Sequence, residues 1–366
     1  MEKNTIPSIR RAMVLDRLAH LEVAILPMPA CGDDEVLIRV KSVGICGSDL
    51  NYYLHGGSTF APVTYPHLLG HEAAGDVVSV GKNVREVAVG DRVAIEPGYP
   101  CGKCAHCASG KYNLCEDISF MSTPIYRPYS EGAFSEYILR PRFGLHKLPD
   151  VMDYEEGAML EPLAVALQAV ETARAKSGMS ALILGCGPIA MCVLLSLRAA
   201  GLTNLYMVDI VKARTEMAVS LGATGAAAGL DEAFRERILV ETRHLGVDLV
   251  FDTTDYAPLV NEALYVTKKG GRVILIAVPH RDMIQLDMRQ LFMSQLSVHT
   301  TFRYANQYPR AIDLVRTGRI PIREIITHRF PFPQADAAFQ LAAKKDGSVC
   351  KVVLNWETEG SEKTGE

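Results

Sequence analysis

The apolar positions of this chain change rhythm near its midpoint. Up to about residue 161, short apolar runs alternate with polar residues and turn formers. Over residues 12–40 the runs are broken by turns around Pro27, Pro29 and Gly32, and 35–41 reads as a strand. The same texture returns over 73–80 and 91–96, so antiparallel β-structure is expected, with no sustained helical period. After residue 161, strand-length runs alternate with helix-length ones. Strands are expected at 180–184, 205–208, 247–252 and 272–278, and helices at 163–175, 191–200, 213–221, 232–242 and 259–267. Alternation of this kind predicts an α/β unit with a doubly wound parallel sheet. Residues 223–229 are too small in side chain to pack as a central strand and stay unassigned. Further on, 334–345 reads as a helix and 350–355 as a strand. The charged tail 357–366 is expected to be disordered.

One stretch organises the second half. The run 180–184 leads directly into Gly185-Cys186-Gly187-Pro188-Ile189-Ala190, then an almost wholly apolar helix that Gly201 stops. The next strand ends in Asp209. Glycines at such a turn let the backbone approach a pyrophosphate, whose charge rests on the helix N-terminus. An acid closing the following strand, roughly 20 residues on, can accept hydrogen bonds from an adenosine ribose. Ala190 stands where a third glycine is usual, and alanine serves there because the position packs helix on strand.

Length and charge narrow the classes. The 366 residues, 48% of them hydrophobic, suit a large core and two domains. A formal charge of −4 with no long basic run argues against nucleic acid as a partner. The polar segment 1–11 lacks the apolar core of a signal peptide, and no apolar run is long enough to span a membrane.

Four of the nine cysteines fall at Cys101, Cys104, Cys107 and Cys115. That bunching points to metal in a reducing, cytoplasmic setting. Four thiolates suit tetrahedral zinc and leave no position for water, so this zinc is expected to be structural. Lys103 and Lys111 are the only lysines or arginines in the lobe, which disfavours a nucleic-acid ribbon. Cys46, His71 and Glu72 form a looser set, one thiolate, one imidazole and one carboxylate, that could leave a catalytic metal one open position. Each also has a plain structural reading, Cys46 as a small buried residue and His71 as a hydrogen-bonded core residue. Cys31, Cys186, Cys192 and Cys350 read as packing residues.

Taken together, Gly70-His71-Glu72-Ala73-Ala74-Gly75, Gly90-Asp91-Arg92-Val93, the four-cysteine lobe and Gly185-x-Gly187-Pro188 resemble the zinc-containing medium-chain alcohol dehydrogenases. The resemblance runs from about Val36 to Trp356. Several patches look closer to the sorbitol (L-iditol, xylitol) dehydrogenases. These are Cys46-Gly47-Ser48-Asp49 with Tyr52-Tyr53-x-His55-Gly56, Ala94-Ile95-Glu96-Pro97-Gly98, Tyr112-Asn113-Leu114, Glu156-Gly157-Ala158-x-x-Glu161-Pro162-Leu163 and Phe302-Arg303-Tyr304-x-Asn306-x-Tyr308-Pro309. The resemblance implies a β-rich GroES-like catalytic domain over 1–162, a Rossmann NAD-binding domain over 163–299, and a return of 300–366 to the first.

It further implies that Cys46, His71 and Glu72 ligate a catalytic zinc, with Glu161 hydrogen-bonding its water. Relatives acting on simple alcohols place a second cysteine there, but no cysteine lies between Cys115 and Cys186. Adjacent residues on a regular strand point to opposite faces, so Glu72 can share a metal with His71 only if the backbone bends; otherwise it acts from behind the ligands. Ser48 is the implied first proton acceptor, and Tyr52, Phe120, Glu161, Arg303 and Tyr304 the implied substrate residues. Gly185, Gly187, Pro188, Ile189, Asp209 and Arg214 are expected to hold NAD, with Lys212 a solvated charge. Many relatives carry a relay histidine where this chain has Asn51, which takes up no proton near neutral pH. The relay then ends at the cofactor ribose, at water, or at another base such as His55.

The expected activity is oxidation of a polyol hydroxyl to a ketose with hydride transfer to NAD, in a homo-oligomer, a tetramer being favoured. Two other readings are an L-threonine or amino-alcohol dehydrogenase on the same scaffold, and a zinc-stabilised dinucleotide sensor without turnover. Arg303-Tyr304 and Glu161-Pro162 stand against the first, and the intact Cys46, His71, Glu72 and Ser48 set against the second.

Overall fold

The computed structural model describes residues 6–126, 129–344 and 347–356. The tail at 357–366 therefore lies outside the described residues. The chain divides into two compact units, Met1–Glu161 with Ile326–Lys345 and Lys351–Glu366, and Pro162–Ile325 with Asp346–Cys350.

The first unit is built on a seven-stranded sheet. Its spine is Glu35–Gly44, which pairs antiparallel with Glu72–Val80 on one side and with Lys351–Asn355 on the other. Arg92–Ile95 and Leu145–Lys147 continue one flank, and Ile326–Pro331 runs parallel to Lys351–Asn355 on the other. Val36, Ile38, Val40 and Val43 along the spine are fully buried. A hairpin of Ile9–Arg17 and His20–Pro27 forms a smaller sheet with His67–Leu68. Helix is not absent here: Gly47–His55 interrupts the β-texture. Its period is hidden because Asp49, Tyr52 and Tyr53 all turn inward, an acid and two phenols instead of aliphatics.

The second unit carries six parallel strands in the order Gly225–Ala227, Asn204–Val208, Ser180–Leu184, Val247–Asp252, Thr267–Leu275, Ser297–Thr300. The first strand in sequence lies centrally and the order reverses beside it, as in doubly wound nucleotide folds. Leu182, Leu184, Tyr206, Val250 and Val273 meet Phe234, Ile238 and Leu264 in one core.

The unassigned small residues near 225, too small for a central strand, form one at the sheet edge, where little side-chain volume is required. Two expectations need correction. The fifth strand starts at Thr267 and the helix before it ends at Leu264, because Gly270 and Gly271 lie within the strand and masked its beginning. Residues 300–325 stay with the second unit, and the chain returns at Ile326, not near Thr300. Their backbone and side chains are tied to the first long helix of that unit, Ala305 N donating to Gln168 and Gln307 to Glu171. Among the described residues, no helix is long and apolar enough to cross a membrane.

Candidate active site

The four-cysteine lobe is assembled from one short segment. Cys104 caps the helix Ala105–Ala108, and a single turn Tyr112–Leu114 brings Cys115 back. The sulfurs of Cys104 and Cys107 lie 3.5 Å apart and those of Cys101 and Cys107 4.0 Å. Sulfurs ligating one tetrahedral zinc sit about 3.8 Å apart, given Zn–S near 2.3 Å. The Cys107 amide holds the Cys104 thiol down to about 6, whereas burial and neighbouring thiols push Cys107 up to about 12. Cys104 is therefore more readily ionised than Cys107.

The second cluster is drawn from distant segments. Cys46 caps the helix Gly47–His55, and its backbone N–H donates to the Asp49 carboxylate (3.0 Å). The other Asp49 oxygen accepts from Gly70 N (3.1 Å) and lies 3.7 Å from His71 Nδ1. Asp49 is fully buried and thus fastens the Cys46 turn to the His71 turn. Burial alone would raise its carboxyl, but the His71 charge and the two amides outweigh this and hold it below the usual range.

The strand problem at His71 and Glu72 is resolved by a bend. Gly70 has φ of +93°, and a Cβ there would come within 2.9 Å of the Phe134 ring. His71 lies outside the strand and Glu72 opens it. The ligand atoms of Cys46, His71 and Glu72 consequently all fall within 4.8 Å of one another.

Glu72 has a partner that sequence reasoning missed. Lys351, 2% exposed, forms an ion pair with the Glu72 carboxylate and donates to Ile45 O (2.9 Å). Burial disfavours its charge, but Glu72 foremost, then Cys46 and Glu161, raise its pKa above the ordinary lysine value. Gly44 makes the pair possible, since a Cβ there would lie 2.0 Å from Glu72 Oε2.

Other candidates gather around this cluster. The Phe120 ring centroid is 5.8 Å from that of His71, and buried Tyr52 meets the His67 ring edge-on at 5.9 Å. Ser48 is half-buried in the first helical turn, and Glu161 is buried where Leu160–Thr172 begins. His55 is exposed at the far end of its helix, about 10 Å along the axis from Ser48. That separation rules out direct proton exchange between them.

In the second unit, Gly185 has φ of +95°, and a Cβ there would strike Thr253 Oγ1 at 2.6 Å. Gly187 caps the helix Pro188–Ala199 and faces open space, leaving its first amides accessible. One Asp209 oxygen accepts from Cys186 N (2.8 Å) and the other from Val211 N (2.9 Å). The acid therefore also braces the glycine turn. Arg214 donates to Val349 O (3.1 Å), whereas Lys212 is exposed beside Glu216 (3.5 Å). Arg303 adopts a left-handed backbone with its guanidinium 4.8 Å over the Phe302 ring, and Tyr304 is buried 5.8 Å from Tyr308.

This arrangement has relatives. The family model described as "Alcohol dehydrogenase GroES-like domain" matches residues 32–150, and the one described as "Zinc-binding dehydrogenase" matches 188–317. A sorbitol dehydrogenase of Bacillus subtilis (strain 168) is 33% identical, covering 96% of this chain and 98% of its own. The chain belongs to the zinc-containing medium-chain alcohol dehydrogenases. An L-arabinitol 4-dehydrogenase of Aspergillus oryzae is 38% identical over 87% of this chain and 86% of its own. The crystal structure of an Escherichia coli oxidoreductase of unknown specificity, involved in membrane biogenesis, superposes with a TM-score of 0.89 at 35% identity, covering 96% and 100% of the two chains.

A zinc-containing dehydrogenase needs donors suited to a borderline-soft dication, and both clusters supply them. Around Cys46 the surroundings are anionic enough to favour a cation. Burial would depress the His71 pKa, yet Cys46 and Asp49 raise it well above its ordinary value. The same field favours a divalent metal. A further residue unremarked in the sequence is Ile210, directly after the ribose-type acid and 91% exposed. An isoleucine so placed offers an apolar surface to a flat ring, and its position beside Asp209 was the available signal.

Proposed function

We propose that this dehydrogenase oxidises a secondary hydroxyl of a polyol of the sorbitol, xylitol, L-iditol or galactitol type to a ketose, with NAD as acceptor. The observation that carries the reading is the convergence of half-buried Cys46 with buried His71 and Glu72, whose ligand atoms lie within 4.8 Å of one another. In this reading those three hold a catalytic zinc with one position open, and Cys101, Cys104, Cys107 and Cys115 hold a structural one. A zinc held by these residues would lower the pKa of a hydroxyl, and NAD would serve as the hydride acceptor.

The chain's own groups do the rest. Ser48 Oγ accepts the hydroxyl proton, and Asn51 passes none onward, so release runs through the cofactor ribose or water. Glu161 hydrogen-bonds at the reacting oxygen, and Phe120 beside His71 keeps bulk water from it. Tyr52, Arg303 and Tyr304 orient the polyol. Gly185, Gly187, Pro188 and Ile189 admit the pyrophosphate, Asp209 receives the ribose hydroxyls, and Arg214 lies along the adenine. A 2′-phosphate at Asp209 would meet like charge, which favours NAD over NADP. The reading includes a cytoplasmic setting, in keeping with nine cysteines that form no disulfide, and a homo-oligomer, with the tetramer favoured.

The test is a metal count with a substrate panel. Two zincs per chain and NAD-linked turnover of at least one polyol, at kcat/KM above that for L-threonine, are expected. Turnover of amino alcohols alone would contradict the substrate assignment, and binding of NAD without turnover would contradict catalysis.

A further inference from the structure

A cavity of about 410 Å³ is lined by Thr64, Pro66, His67, Pro124 and Tyr129. Its volume is in the range of about 300–1,000 Å³ common to small-molecule sites. His67 is its polar anchor and is 3% exposed. His67 Nε2 lies 2.9 Å from Ser122 O, and a carbonyl can only accept, so that nitrogen carries the proton. Burial lowers the His67 pKa and keeps the ring neutral. Nδ1 is then a hydrogen-bond acceptor, and among the described residues nothing donates to it.

Tyr129 packs directly against His67 in the cavity lining. Its ring centroid is 5.0 Å from that of His67, and its hydroxyl is fixed between the backbone N–H (3.2 Å) and C=O (2.8 Å) of Leu68. Both side chains are therefore held by main-chain bonds before any ligand arrives. Tyr52 links the lining residue His67 to the metal-type cluster: it packs on His67 and lies within the electrostatic reach of His71, Asp49 and Cys46. The Asp49 charge also bears on Tyr129.

We propose that this cavity is a distal subsite for the far hydroxyls of a five- or six-carbon polyol, with His67 Nδ1 accepting a hydrogen bond from one of them. The inference rests on the polyol reading above and adds to it a site that discriminates by chain length. A short secondary alcohol reaches the Cys46, His71 and Glu72 cluster without entering the cavity. A longer polyol passes Tyr52 and exchanges water for His67. The contribution of one hydrogen bond between neutral groups corresponds to up to about tenfold in kcat/KM.

The test compares xylitol and sorbitol with butane-2,3-diol, using the full-length zinc-loaded enzyme and NAD. Two variants are made: His67→Phe, which removes Nδ1, and Thr64→Trp, which fills the cavity from an exposed lip position. Both should raise KM for the long polyols, by about tenfold in His67→Phe and more in Thr64→Trp, with butane-2,3-diol kinetics unchanged. Since His67→Phe also removes the Ser122 bond, Thr64→Trp keeps the test independent of folding. Equal losses on all substrates in Thr64→Trp, or no change on the long ones, would overturn the subsite. Absence of polyol turnover in the unaltered enzyme would show up separately, as failure of the function and of the subsite together.

Discussion

The two metal-type clusters differ in how the chain makes them. Cys101, Cys104, Cys107 and Cys115 come from fifteen consecutive positions and need only a short helix and a turn to converge. Cys46, His71 and Glu72 depend on a helix cap, a left-handed glycine and a strand start, and are backed by a lysine 279 positions beyond Glu72 (351 − 72). The first cluster is local chemistry that can order a lobe by itself. The second exists only when the whole sheet is formed, and its donors are held by a buried carboxylate and a buried ammonium. A cluster of the first kind suits a structural metal, and one of the second kind suits a metal whose surroundings are tuned.

The largest effects should come from the dispersed cluster. Cys46→Ser or His71→Ala should remove one zinc per chain and lower kcat/KM by about a thousandfold or more, with the dissociation constant for NAD held within about threefold. Loss of NAD affinity parallel to the loss of rate would erase the distinction between the metal and nucleotide sites. Lys351→Met comes next. It strands the Glu72 carboxylate without its counter-ion, at a cost of about 3–5 kcal/mol in metal-free protein. The deficit should shrink when zinc is added, because the metal supplies the missing positive charge. Chemical denaturation with and without zinc measures both; an equal deficit in the two states would detach Lys351 from the metal site.

Cys104→Ser should act in the opposite sense. Melting temperature or assembly should suffer first, by several degrees, with turnover per remaining catalytic zinc within about twofold. A variant that stayed heat-resistant and lost only turnover would reverse the assignment of the two clusters. Asp209→Ser should narrow the preference for NAD over NADP, as repulsion of a 2′-phosphate is removed. It should also weaken NAD itself several-fold, since the Cys186 and Val211 amides lose their acceptor. Comparing kcat/KM for both coenzymes in the two proteins decides this, and an unchanged NAD value would mean the amides do not depend on Asp209.

What could be read from the sequence follows the same division. The strand Ser180–Leu184, the glycine turn and Asp209 were legible because strand, turn and acid occupy one short βαβ stretch whose spacing is fixed by covalent geometry. The cysteine lobe was legible for the same reason. Lys351 was not, because its approach to Glu72 depends on Glu35–Gly44 pairing with both flanking strands and on Gly44 leaving room. Asp49 was read only as part of a motif, since nothing in the spacing places it under Gly70. The bend before His71 left a trace in Gly70, but a glycine beside a histidine has many uses. His67 stands in a short apolar run that singles out no function, and its cavity exists only once Pro124 and Tyr129 are in place.

The division of labour between the clusters can be measured in a single titration. Zinc is added stepwise to metal-stripped enzyme while melting temperature and NAD-linked polyol oxidation are followed on the same samples. The all-thiolate lobe should fill first, soft ligands binding zinc most tightly. Melting temperature should rise over the first equivalent, and turnover should appear between the first and second. Full turnover at one equivalent, or activity and stability rising together in fixed proportion, would contradict the account.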